Sequence, residues 1–432
     1  MPGTLKTITL GCKVNQYETQ YVREGLEGIG YRAAAEGEAA DLCIVNTCTV
    51  TGEGDAKSRQ LIRRLHREQP EARIVVMGCY ATRAPEEVGG LPGVAEVVTD
   101  KRELPDLLGR FGVIDIPTGI SGLDGRHRAY VKVQDGCLLR CSYCIIPAVR
   151  PQMYSRSVTD IVDECRRIID RGYREIVLTG VHLGHFGVDQ NFRKPKSEWV
   201  RLANLVRQLA QLPGEFRLRL SSIEATEVTK ELLEVMGEHA DKVCPHFHIC
   251  MQSGSEEILR RMKRRWGARR FVDCCRRIQE TLIRPALTTD VIVGFPGETE
   301  AHFAETVQAC RDAGFLKIHA FPFSARKGTP AASYPDQLPK AVKTERVHQL
   351  GELEKELRAN YFAQLVGTQL TVLVEKEQVE ANGQVYQHQG TACRYTPVRF
   401  ESSDSKSGRL VPVRIMSAET DCLVGEQVSA VS

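Results

Sequence analysis

Across residues 1–115, short apolar runs alternate with stretches whose hydrophobic positions recur every three to four residues. Thr7–Leu10, Leu42–Asn46, Ile74–Met77 and Val94–Val98 read as strands. Gln16–Ile29, with Asn15 as its cap, and the basic stretch Asp55–Glu68 read as helices. Strands alternating with helices imply a parallel sheet wrapped by helices. Phe111–Arg128 loses the period and carries Gly112, Pro117, Gly119, Gly122 and Gly125, so it reads as a linker. The alternation resumes from Ala129. Strands are expected at Tyr130–Val133, Glu175–Thr179, Arg217–Ser221, Phe247–Cys250, Thr289–Val293 and Leu316–Phe321. Helices are expected at Thr159–Arg171, Trp199–Leu212, Thr229–His239, a basic region ending at Leu282, and Thr299–Ala313. About six βα units fall short of the eight of a closed barrel and predict an open, partial TIM-like barrel. Pro339–Tyr361 is a charged helix with a stripe at Arg346, Leu350, Leu353 and Leu357, and it is expected to lead to a separate module. Strands at Gln369–Val374, Gln384–His388, Thr396–Phe400, Leu410–Ile415 and Cys422–Val424 then predict a small β-barrel. Such a barrel either handles oligonucleotides or acts as a structural cap. The expected fold class is α/β, with units at 1–115, 126–365 and 366–432.

Cysteine changes this picture most. The 432 residues include 15 cysteines, an odd number, and nothing at the start resembles a signal peptide. No run of apolar residues is long enough to span a membrane. The expected setting is the cytoplasm, where thiols serve as metal ligands or buried hydrophobes. Cys137, Cys141 and Cys144 share one loop after an apolar strand, in a C-x-x-x-C-x-x-C spacing. Three thiolates on a four-iron cluster leave one iron open to another ligand; ordinary cysteines brought close by chance, or a zinc site with a distant fourth ligand, are the alternatives. Cys12, Cys48 and Cys79 each follow a predicted strand, at the edge where open parallel sheets bind ligands. Their recurrence in successive βα loops suits a second site, with coincidence as the alternative. Cys43 lies inside a strand and is expected in the core, as are Cys165, Cys244, Cys274, Cys275, Cys310, Cys393 and Cys422. Cys250 lies nearer the proposed site.

Polar sequences gather at the ends of the central strands: Thr179-Gly180-Val181-His182, Ser221-Ser222-Ile223-Glu224, Gln252-Ser253-Gly254-Ser255 and Gly294-Phe295-Pro296-Gly297-Glu298. Ser and Glu can hold ribose hydroxyls there, and glycines admit close backbone approach. His246 and His248 share a strand face without a third ligand in sight, so both are expected to be structural, and His182, His185 and His319 to hydrogen-bond or pack. Net charge is only +3, from 58 basic and 55 acidic residues. The run Arg260–Arg270 with Trp266 suits either phosphate binding with base stacking or a solvated helix face.

The Cys137/Cys141/Cys144 loop resembles the radical S-adenosylmethionine signature, with the aromatic Tyr143 before the last cysteine. Nearly the whole chain resembles the methylthiotransferases. Gly11-Cys12-Lys13-Val14-Asn15-Gln16-Tyr17-Glu18, Asn46-Thr47-Cys48-Thr49-Val50-Thr51 and Gly78-Cys79-Tyr80 are similar to that family's amino-terminal motifs. Leu220-Ser221-Ser222-Ile223-Glu224 and Gln252-Ser253-Gly254-Ser255 are similar to its central ones. Gly11–Asn15 and Leu178–Gly184 are most similar to the branch acting on threonylcarbamoyladenosine of transfer RNA. Ala225, Cys250 and Val149-Arg150-Pro151 depart from the usual residues.

The resemblance implies two [4Fe-4S] clusters, one on Cys12, Cys48 and Cys79, the other on Cys137, Cys141 and Cys144. It implies S-adenosylmethionine contacts at Tyr143, Gly180, Ser222, Glu224, Gln252, Asp290 and Gly294, and a carboxyl-terminal TRAM barrel for RNA. One cluster would cleave S-adenosylmethionine to a 5′-deoxyadenosyl radical, and the other would carry the sulfur inserted at carbon 2 of the adenine at position 37. An electron donor such as flavodoxin or ferredoxin and a sulfur source would be needed. The alternatives are isopentenyladenosine or a ribosomal-protein aspartate as substrate, or an iron–sulfur RNA-binding sensor without enzymatic activity.

Overall fold

The computed structural model describes residues 3–123, 125–379 and 385–428. The amino-terminal sheet is parallel, with strand order β2-β1-β3-β4-β5. Its strands are β1 (Thr4–Thr9), β2 (Arg32–Ala33), β3 (Leu42–Thr47), β4 (Arg73–Gly78) and β5 (Val94–Val97). Every residue of β3 is buried, as a central parallel strand covered on both faces requires. Leu42 and Ile44 join one core with Val22, Leu26 and Leu108, while Cys43 and Val45 join the opposite core with Ile62, Leu65 and Tyr80.

The first helix runs Lys13–Gly28, so Cys12 and not Asn15 occupies the cap position. The helix closes at once because the Gln16 amide already donates to the Cys12 carbonyl (3.1 Å). Asn15 instead braces two loops: its side-chain amide donates to the carbonyls of Leu10 (2.8 Å) and Thr47 (3.1 Å). The second helix starts at Gly52, ahead of Asp55, because Thr51 caps it by accepting from the Gly54 amide (3.1 Å).

The central part carries β6 (Arg128–Asp135), β7 (Tyr154–Ser155), β8 (Glu175–Gly180), β9 (Arg217–Leu220), β10 (Ser222–Ile223), β11 (His246–Ile249), β12 (Ala286–Val293) and β13 (Lys317–Pro322). They form two sheets, β7-β6-β8-β9 and β10-β11-β12-β13. β10 continues the path of β9 past Ser221 and pairs with β11, and a parallel bridge joins Leu218 to Val243. The result is an open half-barrel of parallel strands, a partial barrel as expected, with β7 added as a short antiparallel edge. The helix expected from Trp199 spans only Leu202–Ala210; Trp199 lies ahead of it, its indole N–H given to the Lys194 carbonyl. The basic region divides into Glu256–Arg261 and Ala268–Thr281, broken where Lys263 adopts φ 58°.

The last five strands are β14 (Gln369–Val379), β15 (Tyr386–Ala392), β16 (Pro397–Ser402), β17 (Leu410–Ala418) and β18 (Leu423–Gln427), closed in the order β14-β15-β16-β18-β17. Gln384, the expected start of one strand, lies outside the described residues, as do residues 429–432. The barrel has a core of its own, and a helix ties it to the half-barrel. Helix Lys340–Ala363 lays Leu350, Leu353 and Leu357 into the half-barrel core, then Tyr361 and Phe362 into the barrel's core beside Ala286 and Leu316. Arg217 and Arg219, on β9, hold the junction by donating to main-chain carbonyls of Thr371, Thr391, Ala392 and Cys393. Among the described residues, no helix is long and apolar enough to cross a membrane.

Candidate metal centres and active site

β1, β3 and β4 are neighbours in the sheet, so the loops leaving their carboxyl ends bring Cys12, Cys48 and Cys79 to one edge. Gly11 lies against Cys48 at φ 102°, where an added Cβ would stand 3.0 Å from the Cys48 sulfur, so only glycine lets these loops close up. Cys137, Cys141 and Cys144 follow β6 on a single loop. That loop is anchored by Ser142, whose amide donates to the Met262 carbonyl (3.0 Å) and whose hydroxyl donates to Arg261 (2.9 Å).

All six thiols are free. Burial pushes up the thiols of Cys12 and Cys48, and lifts Cys137 to about 11 and Cys144 to about 12. Such groups keep their protons at neutral pH unless a metal displaces them. Among the described residues, the trios whose donor atoms close within 4.8 Å, the reach of a single ion, are His182/His185/Glu227 and His248/Asp290/His319, not the cysteines. Sulfur-only donor sets at wider spacing fit a multi-iron cluster better than one zinc.

Arg150 joins the two edges. It is buried, with Nε 3.5 Å from the Cys79 sulfur. Its Nη1 donates to Glu18 (2.8 Å) and Asp135 (2.7 Å), and its Nη2 donates to Glu18 (2.8 Å) and Asn15 (3.1 Å). Asp135 ends β6, two residues before Cys137. Burial alone would raise its carboxyl, but Lys132 and Arg150 hold it well below the usual range. A second tie runs through the segment after β13. Arg326 pairs with Asp55 (2.7 Å), which bonds Thr49 beside Cys48, while the Ala331 amide donates to the Ser142 carbonyl (2.8 Å).

Residues 4–100 match the Uncharacterized protein family UPF0004, and residues 131–310 match the Radical SAM superfamily. The chain is 38% identical to "Threonylcarbamoyladenosine tRNA methylthiotransferase MtaB" of Bacillus subtilis (strain 168), covering 96% of this chain and 94% of that protein. It is 37% identical to the protein of the same name from Chlamydia pneumoniae, over 99% and 98% of the two chains. The chain belongs to the methylthiotransferase family. The "tRNA-2-methylthio-N(6)-dimethylallyladenosine synthase" of Acidothermus cellulolyticus is 31% identical over 100% of this chain and 89% of that one. A solved structure of the radical S-adenosylmethionine methyltransferase TsrM from Kitasatospora setae shares the fold, with a TM-score of 0.54, 14% identity and 77% of each chain covered.

Within this methylthiotransferase, the residues expected to contact S-adenosylmethionine lie along one rim of the half-barrel. Gly180 ends β8 against the side chain of Gln134. Ser222 is exposed on β10. Gln252 adopts φ 67° and bridges to β12, its amide donating to the Asp290 carbonyl (2.8 Å) and its carbonyl accepting from Ile292 (2.8 Å). Gly294 follows β12 at φ 68°. Tyr143 packs against the core of Ile258, Met262 and Phe295. Glu224 is already engaged: its Oε2 accepts from the Trp266 indole (3.0 Å) and from Arg264.

That last contact corrects the base-stacking alternative for Trp266. The indole is 5% exposed and packs on Phe271, and Arg264 turns inward, its Nη1 3.4 Å from the Cys141 sulfur. Only Arg260, Lys263, Arg265, Arg269 and Arg270 remain on the surface. His248 does have neighbours of ligand type, contrary to expectation: Asp290 (3.3 Å) on the adjoining β12 and His319 on β13 beyond it. Separation in sequence hid them. Cys43, Cys165, Cys244, Cys274, Cys275 and Cys310 are buried as expected, whereas Cys393 and Cys422 are only half-buried. Pattern reasoning missed Arg150, Arg326 and the His182–Glu227 contact; the polar strand-end clusters were the only signal for the last.

Proposed function

We propose that this enzyme adds a methylthio group to carbon 2 of N6-threonylcarbamoyladenosine at position 37 of transfer RNA. The observation that carries the proposal is the joining of two cysteine trios at two strand edges through one buried residue, Arg150, which touches the Cys79 sulfur and pairs with Asp135 before Cys137. Two [4Fe-4S] clusters and S-adenosylmethionine, when bound, supply the electron, radical and methyl chemistry. The chain's own residues orient and enclose them. Cys12, Cys48 and Cys79 hold one cluster, and Cys137, Cys141 and Cys144 hold the other. Tyr143, Gly180, Ser222, Glu224, Gln252, Asp290 and Gly294 form the rim for S-adenosylmethionine. The carboxyl-terminal barrel binds the RNA, a small carrier such as flavodoxin or ferredoxin brings the electron, and a separate donor brings the sulfur in a cytoplasmic setting.

The relatives named for threonylcarbamoyladenosine at 38% and 37% identity support this substrate over the dimethylallyl nucleoside at 31%. Mass spectrometry of transfer-RNA nucleosides from cells with and without the gene tests it. The methylthio form of threonylcarbamoyladenosine should vanish with the gene, and its persistence overturns the proposal. Reductant-dependent release of 5′-deoxyadenosine by the purified protein separates an enzyme from a sensor.

A further inference from the structure

Just past β8, His182 is 5% exposed and lies between two partners. Its Nδ1 is 3.5 Å from the Cys137 sulfur, and its Nε2 is 2.7 Å from Glu227 Oε1. His185 stacks on the same ring, with centroids 3.7 Å apart and planes 12° apart, and brings its own Nε2 to 3.2 Å from that oxygen. The His182 amide donates to Gln134 Oε1 (2.8 Å). The Gln134 side chain in turn donates to the carbonyls of Asp135 and Gly136 (2.7 Å each), the two residues before Cys137. Ring and cysteine loop are therefore fixed to each other from both backbone and side chain.

These three groups come close enough to hold an ion, but their contacts argue otherwise. Both imidazoles already meet Glu227 at hydrogen-bond distance, and the second nitrogen of His182 faces Cys137. The remaining carboxylate oxygen, Oε2, is buried and, among the described residues, has no hydrogen-bond partner. It lies against Gly184, where even a Cβ would overlap it, so the carboxylate is wedged in place from behind. The carboxylate is packed to hold two imidazoles.

Once Cys137 is bound to iron, its sulfur carries no proton. The hydrogen in the contact then comes from Nδ1, and one further proton, shared between Nε2 and the Glu227 carboxylate, completes the chain from Glu227 through His182 to Cys137. Partners of this kind orient ligands and tune the metal. Hydrogen bonds to cluster sulfurs also shift the reduction potential, because they stabilise the negative charge added on reduction. We propose that His182, clamped by Glu227, is a positioning residue that donates to the Cys137 sulfur and raises the reduction potential of the cluster on Cys137, Cys141 and Cys144. The inference rests on the proposed function only in assigning a four-iron cluster to those three cysteines.

The test is redox titration, followed by electron paramagnetic resonance, of full-length protein carrying Cys12→Ala, Cys48→Ala and Cys79→Ala. This parent isolates the radical cluster. If it holds no four-iron cluster or does not cleave S-adenosylmethionine, the cluster assignment fails, independently of His182. With the parent intact, His182→Leu should move the midpoint to more negative values. His182→Asn, whose amide N–H can stand where Nδ1 stood, should restore it toward the parent. An unchanged midpoint in His182→Leu overturns the proposal, and so does an equal fall in both variants. If His182→Leu assembles no cluster, the parent labelled with heavy-nitrogen histidine decides. Hyperfine coupling of a histidine nitrogen to the reduced cluster is expected, and its absence overturns the proposal.

Discussion

The two cysteine edges are built in opposite ways. Cys137, Cys141 and Cys144 share one loop, so their proximity is written into eight consecutive residues. Cys12, Cys48 and Cys79 share no loop; they meet only because β1, β3 and β4 lie side by side. The first edge holds its three thiols within one local segment of chain. The second is a property of a folded sheet and inherits every weakness of that sheet.

The sharpest break in this comparison is functional. Cys141→Ala should abolish release of 5′-deoxyadenosine, because Cys141 is one of the three ligands proposed for the radical cluster. Cys48→Ala should leave that release largely intact and abolish methylthio product. Chromatography of both products from the same reaction decides it; full methylthio product from Cys48→Ala would sink the division of work between the edges.

Arg150→Met comes next, because it severs the tie between the edges. It leaves Glu18, which is 1% exposed, and Asp135 facing a neutral side chain. Breaking a buried pair from one side costs roughly 3–5 kcal/mol; the low end, about 3 kcal/mol, is expected because Lys132 still reaches both carboxylates. Urea unfolding measures the loss. Turnover should also uncouple, with more 5′-deoxyadenosine released per methylthio product.

These expectations also mark what the chain discloses before it is folded. The strand ends carrying the six cysteines were legible from alternation alone, because a buried parallel strand is a short apolar run and a βα loop must follow it. Arg150 was not legible. Its partners Asp135 and Glu18 are 15 and 132 residues away, and nothing in a local pattern reports a pairing across domains. Trp266 and Arg264 were obscured differently. A run of basic residues looks like a solvated helix face, but the helix breaks at Lys263, and the break turns Arg264 and Trp266 inward onto Glu224. Asn15 looked like a cap because it is polar and opens a helical pattern. Its actual partners, the carbonyls of Leu10 and Thr47, belong to two strand-end loops that only the folded sheet brings within its reach.

Gly11→Ala tests the dependence of the dispersed edge on close approach. The new methyl would press on the Cys48 sulfur and force a positive φ on alanine. Iron content should fall by about half, with the loss confined to the amino-terminal cluster, since each cluster carries an equal share of iron. Iron analysis with Mössbauer spectroscopy distinguishes this from general destabilisation, which would deplete both.

The smallest expected effect is the most direct probe of the idea that the dispersed edge depends on its scaffold. Thr51 caps the helix that follows Cys48, accepting from the Gly54 amide. Thr51→Ala leaves that first-turn amide without its partner and should cost about 1 kcal/mol by urea unfolding. The helix start also positions Asp55, which binds Arg83, Arg326 and Thr49 next to Cys48. A loosened first turn should therefore slow assembly of the amino-terminal cluster during reconstitution while the rate at Cys137, Cys141 and Cys144 stays the same. The contiguous loop feels this helix only at second hand: Met262 and Arg261 anchor it from the half-barrel, and Ala331 from the segment after β13 that carries Arg326. Equal slowing at both edges would mean that the two sites fold as one unit, and the contrast between a loop-encoded and a sheet-encoded site would have to be abandoned.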